Sequence, residues 1–113
     1  MEENKYKIKV TPKAYEDLDE IYGYIANDLY NEDAADDLLG KIETNIMRLK
    51  DFPFSCSFVR DEILRVKGYR KLIIDNYITF YLVSEAEKEV IVMRVLYSKQ
   101  KYQDSNIPSL FQI

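Results

Sequence analysis

The chain has 113 residues, of which 47% are hydrophobic and 32% are charged. This length fits a single domain, with a core over about 6–102 and a tail over 103–113, because two domains would each have almost no core. The apolar fraction excludes a disordered chain. The net charge of −4 and the pI near 4.9 count against a general nucleic-acid coat protein.

Histidine is absent, and Cys56 is the single cysteine. These counts exclude imidazole acid–base chemistry, an intrachain disulfide and a zinc cluster. No metal-ligand spacing or glycine-rich phosphate loop occurs, so we expect neither a metal nor a cofactor. No basic leader opens the chain and no apolar run approaches the roughly 18 residues of a membrane span. We therefore expect a soluble cytoplasmic protein that does not bind membranes.

The two halves of the chain differ in charge. Residues 1–59 contain 7 basic and 13 acidic residues, whereas residues 60–102 contain 9 basic and 6 acidic ones. The second half is therefore locally basic, which is typical of a surface that faces a polyanion and equally of solvated lysines.

The first half predicts a strand followed by two helices. Residues 6–10 alternate aromatic or aliphatic side chains with lysine, and Thr11-Pro12 reads as a helix N-cap followed by proline at the first helical position. Apolar residues at helical spacing predict one helix from Pro12 to about residue 29 and, after an Asn31 cap, a second that ends at Phe52-Pro53. A connection this short predicts an antiparallel helical hairpin.

The second half predicts three strands, over residues 70–74, 77–83 and 90–97, with an additional short strand near 57–59 in a segment (54–69) that is otherwise a loop. The fold class is therefore α+β. An N-terminal strand precedes a two-helix hairpin packed on a mainly antiparallel sheet, which is built around a three-strand meander.

A two-residue turn at Asp75-Asn76 sets the strand pairing, because opposed residues share a face of the sheet. Ile78, Phe80 and Leu82 then lie on an apolar face under the helices. The other face is mixed and uncovered, and an exposed patch of this kind is typical of a binding site. It collects Arg70, Leu72, Tyr77, Thr79, Tyr81, Val92, Arg94 and Leu96, with Thr79 opposite Arg94. A fold-back of the tail over this face is the alternative. On this register, Arg94→Ala should leave folding nearly normal.

The remaining polar residues limit the chemistry. The carboxylates are predicted to be solvated on helix surfaces. RNA cleavage through the 2′-hydroxyl needs a proton acceptor, a proton donor and a cation beside the phosphorane, which arginine, lysine and tyrosine could supply. The candidates for those roles are Arg70, Arg94, Tyr97 and Lys99. The candidate binding residues are Lys71, Tyr77, Thr79, Tyr81, Lys101 and Tyr102.

The order of several segments resembles the RelE/ParE toxin superfamily. Thr11-Pro12-Lys13-Ala14 with the helix after it resembles that family's first helix, and the run from Ala34-Ala35 to Phe52-Pro53 resembles its second. Tyr69-Arg70-Lys71-Leu72 and the two strands that follow resemble its meander. The resemblance covers about residues 6–102.

The resemblance implies a bacterial toxin that a cognate antitoxin neutralises. RelE-like members cleave messenger RNA on the ribosome, and ParE-like members poison DNA gyrase. Ile78 stands where RelE-like toxins usually carry an arginine, and the long hairpin looks more like ParE. The sequence therefore favours a gyrase poison that binds through its hairpin and tail, with the ribosome-dependent endoribonuclease as the alternative. Whether the toxin forms oligomers, alone or with its antitoxin, stays open.

Overall fold

The computed structural model describes residues 5–98, and the elements follow the predicted order. The elements are β1 (Lys7–Val10), α1 (Pro12–Gly23), a π-helical turn (Tyr24–Asp28), α2 (Glu32–Met47), a 3₁₀ turn (Arg48–Lys50), α3 (Glu62–Val66), β2 (Arg70–Ile74), β3 (Tyr77–Ser84) and β4 (Glu89–Tyr97). The strands form one sheet in the order β1-β4-β3-β2, in which only β1 and β4 are parallel. The predicted α+β class is confirmed.

Both helices of the hairpin begin at their predicted caps. The Thr11 hydroxyl accepts a hydrogen bond from the Ala14 amide at 3.1 Å, and the Asn31 side chain accepts one from the Ala34 amide at 3.1 Å. Each cap satisfies an amide that the first helical turn would otherwise leave unpaired. Between the helices, Tyr30 takes the left-handed conformation at a φ of +53°. The start of each helix is therefore specified locally by its cap.

The turn at Asp75-Asn76 also sets the observed register of β2 and β3. Ile74 lies opposite Tyr77 and Arg70 opposite Tyr81, as predicted, and Asp75 takes the left-handed conformation at a φ of +54°. Aspartate tolerates this conformation better than most residues, which is why it suits such a turn.

The predicted register between β3 and β4 is correct only near the Glu85–Lys88 turn. Tyr81 pairs with Val92 as expected, but a β-bulge follows, and Phe80 then lies opposite Arg94 instead of Met93. Thr79 consequently lies opposite Val95, so its predicted pairing with Arg94 is wrong. One extra residue on the bulged strand shifts every later pair by one position.

The prediction of which sheet face the hairpin covers is also wrong. Leu38, Ile42 and Ile46 of α2 pack with Val92 and Val95, on the face that was expected to be open. The face with Ile78 and Phe80 is covered instead by Val59, Leu64 and Tyr69. Both faces are apolar enough to be buried, so alternation alone could not choose between them.

The predicted uncovered patch is consequently interior. Thr79, Tyr81 and Val92 are fully buried, and Arg94 and Leu96 are 8% and 4% exposed. The mixed face therefore cannot serve as a binding surface, because the hairpin and the bulge bury its central residues.

Residues 54–69 contain more structure than predicted. Phe58 forms a single antiparallel bridge with Arg70 where a short strand was predicted, and the five-residue helix α3 was not predicted. Leu64 of α3 is 1% exposed and anchors the segment on the sheet. The helices within residues 5–98 are all too short or too polar to cross a membrane.

Candidate functional site

Arg94 is fixed in the interior by Asp17 of α1. Its Nε lies 2.7 Å from Asp17 Oδ2 and its Nη2 lies 3.0 Å from Asp17 Oδ1, and Oδ2 also accepts the Val95 amide at 3.0 Å. Asp17 was predicted to be solvated on the helix surface, yet it is only 5% exposed. A guanidinium that a buried carboxylate holds at two points is not available to a phosphate in solvent.

Arg70 lies at the start of the edge strand β2, half-buried among aromatic rings. Its guanidinium carbon is 4.0 Å from the centre of the Phe58 ring and 5.2 Å from that of Phe54. It also donates a hydrogen bond to the Cys56 carbonyl. These contacts hold Arg70 against the loop that precedes β2.

The predicted binding residues on β2 and β3 differ in accessibility. Lys71 and Tyr77 are half-buried, whereas Thr79 and Tyr81 are fully buried. The Tyr81 hydroxyl donates to the Pro53 carbonyl at 3.1 Å. Burial raises the pKa of Tyr81 and of Tyr77, and for Tyr77 the neighbouring Tyr97 and Tyr24 hydroxyls raise the pKa further. Both phenols therefore favour the protonated form more than free tyrosine does.

An open groove of about 780 Å³ lies at the turn of the hairpin, which we call the hairpin groove. The end of α1, the π-helical turn and the start of α2 form one wall, and the Asp75-Asn76 turn and the end of β4 form the other. Exposed side chains on its rim are Tyr24 at 53%, Leu29 at 53% and Tyr97 at 39%. The Tyr97 ring lies 5.4 Å from that of Tyr77, which continues the aromatic lining inward.

The structure brings together only part of the predicted nuclease set. Arg94, which Asp17 holds, and Tyr97 both line the hairpin groove, whereas Arg70 lies by the Phe54–Phe58 loop. Lys99, Lys101 and Tyr102 lie outside the described residues. Within residues 5–98, no group of three acidic or cysteine side chains is arranged to hold a metal ion.

The sequence did not identify two sets of exposed apolar side chains, one on the rim of the hairpin groove and one in the loop before β2. Tyr24 and Leu29 fall within the first predicted helix, and each is 53% exposed, Tyr24 at the start of the π-helical turn and Leu29 just after it. Phe52, Phe54 and Phe58 fall in the segment with the weakest pattern, and their exposed fractions are 62%, 45% and 45%. Three phenylalanines within seven residues around Pro53 were a usable signal, since a loop seldom needs so many.

Comparisons with known proteins agree with this geometry. A two-helix hairpin on a four-stranded sheet in this order is the architecture of the RelE/ParE toxin superfamily. The family model described as the ParE toxin of the type II toxin–antitoxin system parDE matches residues 8–102. The chain belongs to this family of type II toxins. None of the curated protein sequences compared with the chain matches it.

Three solved structures share the fold. A chain of the chromosomal ParDE system from P. aeruginosa aligns with a TM-score of 0.69 and 22% identity, covering 85% of this chain and 99% of that one. A chain of the RelBE2 toxin–antitoxin complex from Mycobacterium tuberculosis aligns with a TM-score of 0.56 and 18% identity, covering 82% of this chain and 98% of that one. A mutant of E. coli toxin RelE in the free state aligns with a TM-score of 0.58 and 14% identity, covering 95% of this chain and 94% of that one. At these identities the likeness concerns the fold.

Proposed function

We propose that the protein is a ParE-like toxin that inhibits growth by binding DNA gyrase and does not cut RNA. The observation that carries this proposal is the buried pair of Arg94 and Asp17. Arg94 was one of the two arginines predicted to stabilise the phosphorane, and two of its three guanidinium nitrogens donate to Asp17. Membership of the ParE family supports the same conclusion.

Tyr77 and Tyr81 are also poorly suited to act as a general base. A general base at neutral pH needs a pKa near 7, and burial moves the pKa of Tyr77 and Tyr81 away from that value. Tyr97 lines a groove with Tyr24 and Leu29, and aromatic and aliphatic groups of this kind are the usual anchors of protein interfaces. The hairpin groove is therefore the proposed contact surface for gyrase.

The second proposed partner is a cognate antitoxin, with which the toxin forms a complex in the cytoplasm. The family is defined by type II toxin–antitoxin pairs, and two of the structures that share the fold come from a ParDE system and a RelBE2 complex. A bound antitoxin must keep the toxin from reaching its target. We expect toxicity only when the antitoxin is absent or degraded.

Induction of the chain without its antitoxin tests the proposed target. We expect DNA damage and altered plasmid topology while messenger RNA stays intact. Leu29→Glu, which places a charge on the rim of the groove, should suppress the damage, whereas Val66→Ser on α3 should not, because Val66 is 79% exposed and lies outside the groove. Rapid translation arrest with cleaved messages would instead establish the ribosome-dependent endoribonuclease.

A further inference from the structure

Three aromatic rings and two cations contact one another in a row along the surface at the Phe54–Phe58 loop. Lys88 Nζ lies 5.5 Å from the centre of the Tyr6 ring, and that ring meets Phe54 edge to face at 6.1 Å. Arg70 then lies over both Phe54 and Phe58. We call these five residues the cationic aromatic strip. It lies away from the residues that line the hairpin groove.

The loop that carries Phe54 and Phe58 is hydrogen-bonded to the sheet near both of its ends. The buried Tyr81 hydroxyl bonds to the Pro53 carbonyl, and the Lys71 amide bonds to the Ser57 carbonyl at 3.1 Å. Ser55 closes the intervening turn by donating from its hydroxyl to the Phe52 carbonyl at 2.8 Å. A loop tied down at both ends has little freedom left to fold its phenylalanines inward. Its rings therefore stay exposed to solvent, which costs free energy unless a partner covers them.

No carboxylate of residues 5–98 forms an ion pair with either cation of the strip. Within residues 5–98, the ion pairs use Lys5, Lys9, Lys13, Lys41 and Arg94, and neither Arg70 nor Lys88 has a carboxylate within 4.0 Å. The strip thus presents two cations and three partly exposed aromatic side chains. Its complement is a segment that supplies carboxylates beside apolar side chains.

We propose that the cationic aromatic strip binds an acidic, apolar segment of the antitoxin. This inference rests on the proposed function, which requires such a partner. The mixed sheet face, which was predicted to be a binding surface, is not available to the antitoxin because the hairpin buries it. Single-stranded nucleic acid fits the strip less well, because bases stack on ring faces and Arg70 already occupies one face of both Phe54 and Phe58. The net charge of −4 further weakens the attraction of a polyanion.

The test measures the dissociation constant of the full chain with the small protein encoded by the adjacent reading frame. Phe58→Ser should weaken binding by about 30-fold, the size of an interface hot spot. Lys88→Gln should weaken it by about 3- to 10-fold and reduce its dependence on salt, since Lys88 is exposed and its loss should not affect folding. Val66→Ser is the matched control, because it removes an exposed apolar side chain outside the strip.

Hydrogen exchange of the complex supplies a second readout that does not depend on any variant. We expect the amides of residues 54–58 and 88 to gain protection when the antitoxin binds. A tight complex in which these amides are unprotected and both strip variants bind normally would overturn the inference and leave the proposed function intact. Failure of the unaltered chain to bind the adjacent protein would overturn both. Protection of these amides by a single-stranded RNA oligonucleotide, with no protection by the antitoxin, would assign the strip to nucleic acid and overturn the inference.

Discussion

Asp17 on α1 and Arg94 on β4 join the helical hairpin to the sheet through two hydrogen bonds, of 2.7 and 3.0 Å, between side chains that are 6% and 9% exposed. The same carboxylate accepts the Val95 amide just beyond the bulge. One ion pair therefore fixes both the position of the first helix and the local register of β4. It also buries one of the two arginines that were candidates for a nuclease mechanism.

Arg94→Ala should destabilise the protein strongly. Removing one partner of a buried ion pair leaves the other charge uncompensated, which typically costs about 3–5 kcal/mol. Urea denaturation of the variant measures this loss, with Lys13→Ala as control, because the exposed Lys13–Glu16 pair should contribute less than about 1 kcal/mol. A loss for Arg94→Ala as small as the control's would contradict the buried pair.

Thr79→Val should stabilise the protein. Thr79 is fully buried, and its hydroxyl oxygen has no hydrogen-bond partner among the described residues. Replacing that hydroxyl with a methyl group removes an unsatisfied polar atom, a change worth about 1–3 kcal/mol. The midpoint of urea denaturation should rise without a change in slope. A lower midpoint would mean that the hydroxyl is satisfied after all.

Tyr81 should make stability fall at alkaline pH. Burial raises the pKa of its phenol above the ordinary value of 10, so the unfolded chain loses this proton before the folded chain does. The free energy of unfolding that Tyr81 contributes through this pKa difference is complete below pH 10 and decreases above it, by about 1.4 kcal/mol for each pH unit. Tyr81→Phe should lose about 1 kcal/mol at neutral pH, the value of the bond to Pro53, and show a shallower fall above pH 10. Parallel curves for the two proteins would refute this assignment.

The rim of the hairpin groove should determine affinity for gyrase. Tyr24→Ala and Leu29→Glu remove exposed side chains, so we expect unfolding midpoints close to that of the unaltered chain. Each should nevertheless weaken gyrase binding by about 30-fold if it is an interface anchor. Met47→Ala, at the end of α2 and outside the groove, is the matched control with 41% exposure. Equal changes in gyrase affinity for all three variants would mean that gyrase binds a different surface.

The local signals of the sequence identified most of the fold. The caps at Thr11 and Asn31 and the turn at Asp75-Asn76 depend on near neighbours, and all three are observed. The bulge beside Met93 could not be predicted, because it depends on how β4 meets β3 and on the Thr11 hydroxyl, which donates to the Met93 carbonyl at 3.1 Å.

The candidate site was less predictable than the fold for the same reason. Asp17 looks like any acidic residue on the polar side of a helix, and only the bulged strand brings Arg94 to it. Ring–cation contacts such as that of Arg70 with Phe58 join residues that lie on different segments and share no periodic pattern. Surfaces built from such long-range contacts therefore require the structure.

Two reactions of the purified protein, freed of antitoxin, distinguish a gyrase poison from a nuclease. In one, gyrase supercoils plasmid DNA, and in the other, ribosomes translate a defined message. We expect loss of supercoiling and accumulation of gyrase-cleaved DNA, both prevented by Leu29→Glu, while the message stays intact. A cleaved message with normal supercoiling would contradict the proposed function.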